Sequence, residues 1–130
     1  MSPDPIALWH RAVETRDLSV IDELIAEDAV FHSPVLGRPQ EGKALVAKYL
    51  RAAMAVLNNP SFRYVGEWRA ERSAVLEFEL LLGETRVNGV DLIWWNAAGQ
   101  ITLFKVMIRP LRAINALMPL MAAELGAPAA

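Results

Sequence analysis

A single aspartate interrupts the apolar stretch VNGVDLIWW, with Val90, Leu92, Ile93, Trp94 and Trp95 around it. A carboxylate among such neighbours is costly when buried and charged, so Asp91 needs a partner, a retained proton, or an edge that water reaches. Desolvation raises a carboxyl pKa, and a neutral carboxyl can donate a hydrogen bond to a ligand carbonyl. Asp91 is therefore the candidate catalytic acid or orienting group. The structural alternative is a bond to a nearby hydroxyl, indole N–H or arginine, with no chemistry attached.

The candidate base is His32, because imidazole is the side chain that titrates near neutral pH without help. Strand alternation sends Phe31 and Ser33 one way and Val30 and His32 the other, so a cavity-facing Ser33 turns His32 away unless the chain bends at Pro34. His10 follows Trp9 at helical spacing and reads as a core-edge histidine. Trp9 and Tyr49 each join a large apolar ring to one polar atom, which suits them to lining a cavity or to plain core packing. Glu77 and Glu79 alternate with Leu76, Phe78 and Leu80, sharing a face from which they can bridge to Arg63, Arg69 or Lys105. They read as ladder charges rather than a catalytic pair. With two distant histidines and no cysteine, no metal site, cofactor or disulfide is expected.

The elements that must position these residues follow from the hydrophobic period. Ile6, Trp9, His10 and Val13 mark a first helix over residues 5–15, with Pro5 in its first turn and Asp4 or Ser2 as cap. Leu18, Ile21, Leu24 and Ile25 mark a second, and DAVFHSP is a brief extended piece stopped by Pro34. A third helix opens after Gly42 and ends at the Asn58-Asn59-Pro60 run. The period then becomes two, over residues 62–68, 73–82, 87–95 and 101–109, with connections short enough for an antiparallel meander. Leu111, Ile114, Met118, Met121 and Leu125 mark a last helix that Pro119 is expected to kink or interrupt, before a frayed GAPAA tail. That helix could close a cavity mouth or cover the sheet.

Helices first and a meander afterwards imply an α+β fold in one domain spanning 1–130, with helices packed on one face of a curved antiparallel sheet. Both faces of the last two strands are apolar, which predicts a core on one side and a second copy of the chain on the other. The hydrophobic fraction of 54% also leaves apolar surface for a cavity or partner. A formal charge of −2 with mixed signs provides neither a basic stripe for nucleic acid nor a polybasic patch for membrane. No basic leader precedes an apolar run and no segment reaches a membrane span, so a soluble, cytoplasmic protein is expected.

Three landmarks, RDLSVIDELIAEDAVFHSP, the Gly42 that opens the third helix, and VNGVDLIWWNAAGQI, together resemble the nuclear transport factor 2-like superfamily from about Ile6 to Ile108. Ketosteroid isomerases, limonene epoxide hydrolases and SnoaL-type polyketide cyclases belong to that superfamily, and the resemblance implies their cone-shaped α+β fold with an internal pocket. It implies that Trp95, Phe104 and Val106 face the pocket with Asp91. In the isomerases the residue before the first proline of this region is an aspartate base, and here it is Ser33. Their oxyanion-donor tyrosine falls on Trp9, and their protonated acid at the start of the D-x-x-x-x-N-x-x-G hairpin falls on Asp91. That related acid is a known example of a carboxyl held neutral by an apolar site. One of three catalytic positions survives.

The resemblance and the residues together imply a homodimer whose pocket takes a small apolar molecule bearing a carbonyl or hydroxyl, with Trp9, Ser33, Tyr49, Trp95, Phe104 and Val106 as lining. Cofactor-free isomerisation, cyclisation or hydrolysis then uses Asp91 as acid and His32, or a water near Ser33, as base. A non-catalytic binding protein and a dimeric interaction module are the alternatives.

Overall fold

The computed structural model describes residues 4–126. Ser2 and most of the GAPAA tail lie outside the described residues. Helix α1 spans Pro5–Thr15, and its cap is Asp4, whose Oδ1 accepts from the Ile6 amide at 3.0 Å. Helix α2 is a short turn over Val20–Leu24, and α3 covers Lys43–Leu57. Strands β1 (Ile25–His32) and β2 (Gln40–Glu41) lie between them. The meander follows as β3 (Arg63–Arg69), β4 (Ser73–Leu82), β5 (Thr85–Trp95) and β6 (Ile101–Arg109), and α4 (Leu111–Glu124) closes the described chain.

The six strands form one sheet in the order β2-β1-β6-β5-β4-β3. The meander is antiparallel as expected, but the sheet as a whole is mixed, because β1 pairs with β6 in parallel. Local spacing could not show this, since α3 and four strands separate the two partners. The same pairing corrects the end of α2: Ile25, expected on the helix, already pairs with Ile101 as the first residue of β1.

Helices α1 and α3 cover the inward face of the sheet, where Phe31, Leu76, Phe78, Ile93 and Phe104 are all but inaccessible to solvent. Helix α4 packs on α3, β6 and β5. Pro119 lies inside it without ending it. The carbonyl that loses its amide partner belongs to Asn115, which is exposed and solvated, so the break costs little. The buried stripe of α4 is Ala113, Leu117 and Met121, whereas Leu111 and Met118 face solvent. The helix is thus rotated from the expected stripe, and it covers the sheet.

Candidate active site

Asp91 sits mid-strand on β5, opposite Leu76 of β4 and Val106 of β6, which fixes it on the inward face. Gly89, two residues earlier on that face, leaves room for the Phe78 ring: a Cβ there would lie 2.5 Å from the Phe78 Cζ and 2.7 Å from the Met107 carbonyl oxygen. Asp91 is buried, and its Oδ2 accepts a hydrogen bond of 2.6 Å from the Tyr64 hydroxyl. That hydroxyl oxygen in turn accepts from the Trp9 indole Nε1 at 2.8 Å. A relay thus runs from α1 through β3 to β5, with every proton directed toward the carboxyl.

Burial pushes the Asp91 carboxyl up to about 7, and the Tyr64 hydrogen bond, which favours the ionised form, only partly opposes it. Tyr64 is held well above the usual phenol range, by its own burial first and by the Asp91 charge second. The phenol therefore keeps its proton at neutral pH, where the carboxyl is poised to gain and lose one. An acid of that kind can give a proton to a ligand or take one back.

Asp91 forms part of the wall of a cavity of about 40 Å³, otherwise built by Trp9, Leu50, Phe78, Phe104, Val106 and their neighbours, with Asn58 as its other polar side chain. A single water needs roughly 10–15 Å³ by this measure, whereas ligand pockets run to several hundred, so the cavity has room for a few waters and is the seed of a pocket. Val13, Asn58 and Phe62 also line an open depression of about 430 Å³, together with His10, Glu14, Arg16 and Tyr64. Those three residues are the partition shared by the cavity and the depression. Asn58 ties the partition to α1 through a 2.8 Å bond from its Nδ2 to the Val13 carbonyl.

Of the residues singled out in the sequence, Trp9, Asp91, Phe104 and Val106 meet at this cavity. Tyr49 is half-buried, with its ring 5.9 Å from Phe31, and Trp95 packs against the edge of the core; neither is on the cavity wall. His32 pairs in register with Lys105 on the outward face, and with Ser33 it borders a separate depression beside Met107 and Ile108. Ser33 leaves the inward face because β1 ends at His32 and the chain bends at Pro34, where the Ser33 Oγ accepts from the Val35 amide at 3.1 Å. The structure therefore does not bring His32 or Ser33 to Asp91. Tyr64 is the residue that sequence reasoning missed. Its signal was available, since the strand expected over 62–68 alternates Phe62 with Tyr64 on one face, and a buried carboxylate needs a donor.

The SnoaL-like domain family matches residues 6–104, three quarters of the chain, including Trp9, Tyr64 and Asp91. The chain belongs to the SnoaL-like domain family. Its fold is that of the nuclear transport factor 2-like superfamily. This SnoaL-like domain is 33% identical to a steroid delta-isomerase from Pseudomonas aeruginosa, with a TM-score of 0.89 over 97% of this chain and 96% of that one. It is 34% identical to an uncharacterised protein with a cystatin-like fold from Silicibacter pomeroyi, with a TM-score of 0.87 over 99% and 89% of the two chains. An epoxide hydrolase/cyclase-like enzyme of pyran ring formation in salinomycin shares the fold, at 21% identity and a TM-score of 0.65 over 82% and 89%. No match was found among curated proteins.

Proposed function

We propose that this SnoaL-like domain binds a small apolar molecule bearing a carbonyl or hydroxyl, anchors the oxygen on Asp91, and performs cofactor-free acid/base chemistry on it as an isomerase, cyclase or hydrolase. The observation that carries this reading is the buried carboxyl, pushed up to about 7 on the wall of an apolar cavity. Such a group offers a proton to an acceptor when neutral and accepts from a hydroxyl when ionised. The full-length likeness to a steroid delta-isomerase supports an apolar carbonyl compound as the ligand class. A ligand of that size enters by displacing the partition at Val13, Asn58 and Phe62.

A binding protein without turnover is the second reading, favoured by the Tyr64 bond that already occupies one carboxyl oxygen. The probe for both is 2-tetralone, a bicyclic ketone, followed by quenching of tryptophan fluorescence. Replacing Asp91 with leucine, Asp91→Leu, should weaken its binding about tenfold, the scale of one lost charge-assisted hydrogen bond. Binding unchanged by that substitution, or no binding to the native protein, sinks the pocket reading. Asp91→Asn then separates the two: an enzyme loses exchange of the ketone's α-protons with solvent, whereas a binder keeps most of its affinity and has no exchange to lose.

The same proposal includes a homodimer through the outward sheet face, where Val65, Trp68 and Met107 are exposed. Light scattering that gives a monomer at micromolar concentration removes it. The cytoplasm is the proposed compartment, in keeping with a cysteine-free chain.

A further inference from the structure

We infer that His10, oriented by Glu67 at the mouth of the cavity, is the proton acceptor that works opposite Asp91. This rests on the pocket reading above and supplies the base that it lacks.

The placement begins with an irregularity in β3. Tyr64 pairs with Phe78, yet Gly66 pairs with Glu77 and Glu67 with Leu76, so the register slips by one residue at Val65. Leu76 and Phe78 both point inward and are fully buried. Tyr64 and Glu67 therefore share the inward face although they are three residues apart, which a regular strand forbids. Without the bulge, Glu67 would lie on the outward face.

Two consecutive residues of α1 grip these two residues of β3. Trp9 holds Tyr64, and the His10 Nε2 lies 2.7 Å from the Glu67 Oε1. With the Glu67 carboxylate as acceptor, a neutral imidazole donates from Nε2 and presents its lone pair on Nδ1. The imidazole meets the Tyr64 ring edge to face, 5.2 Å between centroids and 89° between planes, so both its position and its tilt are fixed. Glu67 is steadied from behind: its Oε2 is 3.7 Å from the Arg69 Nη1, and the Arg69 Nη2 donates to the Asp4 Oδ1 at 2.7 Å. Asp4 caps the helix that carries His10.

An isolated surface pair of this kind contributes little to stability. This pair is two-thirds shielded, with side chains 30% and 34% exposed. His10 and Tyr64 border the depression that meets the Asp91 cavity at Val13, Asn58 and Phe62. A ligand whose carbonyl reaches Asp91 carries its outer end past that partition to the imidazole. In a ligand with a C=C bond β,γ to that carbonyl, Nδ1 takes a proton from the α carbon, the C–H electrons form a C=C bond to the carbonyl carbon, and the carbonyl π pair moves to oxygen, which accepts the Asp91 proton. Return of the imidazolium proton at another carbon, and of the enol proton to Asp91, restores both groups. Glu67 is a positioning residue that acts through His10. The other charged residues lining that depression are Glu14 and Arg16 of α1.

The test uses 5-nitrobenzisoxazole, from which a base removes one ring proton while the N–O bond breaks and its electron pair leaves as a coloured phenolate. The native protein should open it faster than an equal concentration of free imidazole, and His10→Gln should remove about a hundredfold of that rate, the usual worth of a placed base. Glu67→Ala, which removes the acceptor, should lower the rate several-fold and, in ¹⁵N spectra of the imidazole, lose the preference for the Nε2–H tautomer, which a merely structural glutamate would not control. A native rate no greater than free imidazole, or a His10→Gln rate equal to native in a folded protein, overturns the inference. If 2-tetralone still binds in an Asp91-dependent way in that case, only the base is wrong; if it does not bind, the pocket reading has failed as well.

Discussion

The two faces of β5 and β6 are built from similar residues, and water separates their behaviour. On the inward face Asp91, Ile93, Phe104 and Val106 are buried; on the outward face Met107, one residue from Val106, is half exposed. Each face of the sheet holds a carboxylate within reach of a donor, the outward ones on the neighbouring β4. Outside, the Glu79 Oε1 lies 3.1 Å from the Arg63 Nη2, with the arginine largely in solvent, and the Glu77 Oε2 accepts from the Asn88 Nδ2 at 3.0 Å. Inside, the Asp91 Oδ2 accepts from Tyr64 at 2.6 Å with no solvent to share the charge. A short hydrogen bond does not by itself make a group reactive. Desolvation does, because it sets how much free energy rides on the proton.

The largest expected contrast is apolar. Phe104 packs against Trp9 at 4.9 Å and Phe31 at 6.1 Å between ring centroids, so Phe104→Ala should cost about 3–5 kcal/mol in urea unfolding. Met107→Ala, on the next outward position but one away, should cost less than about 1 kcal/mol. Equal costs would mean that the outward face is covered in solution, which is the outcome a dimer through that face produces.

The Asp91 carboxyl sharpens the contrast through pH. Its folded pKa, about 7, lies above the ordinary 3.8, so the unfolded chain releases this proton first. Stability from the retained proton is complete below pH 4 and is lost as pH rises to about 7, for a total of roughly 4 kcal/mol at most. Asp91→Asn should therefore gain stability relative to the native protein across that window and hold the gain above it. Tyr64→Phe should move the upper edge of the window higher, since the phenol hydrogen bond favours the ionised form. Stability curves of native protein and Asp91→Asn that run parallel from pH 4 to pH 8 would falsify the buried-acid assignment.

Gly89 tests how tightly the inward face is closed around that acid. Gly89→Ala forces a methyl against the Phe78 ring and the Met107 carbonyl, and overpacking of this kind costs about 1–3 kcal/mol.

What the sequence made legible divides along the same line. The α1 boundaries, with Asp4 as one of two candidate caps, and the four meander strands follow from local spacing, while the inward facing of Asp91 follows from the family resemblance; each stands in the structure. Long-range pairing and irregular backbone were not legible. The parallel β1–β6 contact joins residues some seventy positions apart, and no local pattern carries it. The bulge at Val65 reverses the parity of everything after it, so a strict period of two puts Glu67 outside and hides its meeting with His10. Ser33 shows the opposite failure: alternation aims it inward, but the strand has already ended. Trp9 was assigned to the cavity wall, where it lies, although its indole proton is spent on Tyr64.

The smallest expected effect is the outward ion pair. Arg63→Ala removes the partner of Glu79, yet both ends remain wetted, and exposed pairs of this type are worth about 0–1 kcal/mol. The Arg63/Glu79 double-mutant cycle should therefore close to within a few tenths of a kcal/mol and shrink further at high salt, because solvent and ions already screen the charges. The equivalent cycle across Tyr64 and Asp91 should leave a coupling that salt does not move but pH does, weakening as the carboxyl takes up its proton below about pH 7. If the outward coupling is the larger of the two, burial is not what distinguishes Asp91, and the case for a functional acid at this position falls with it.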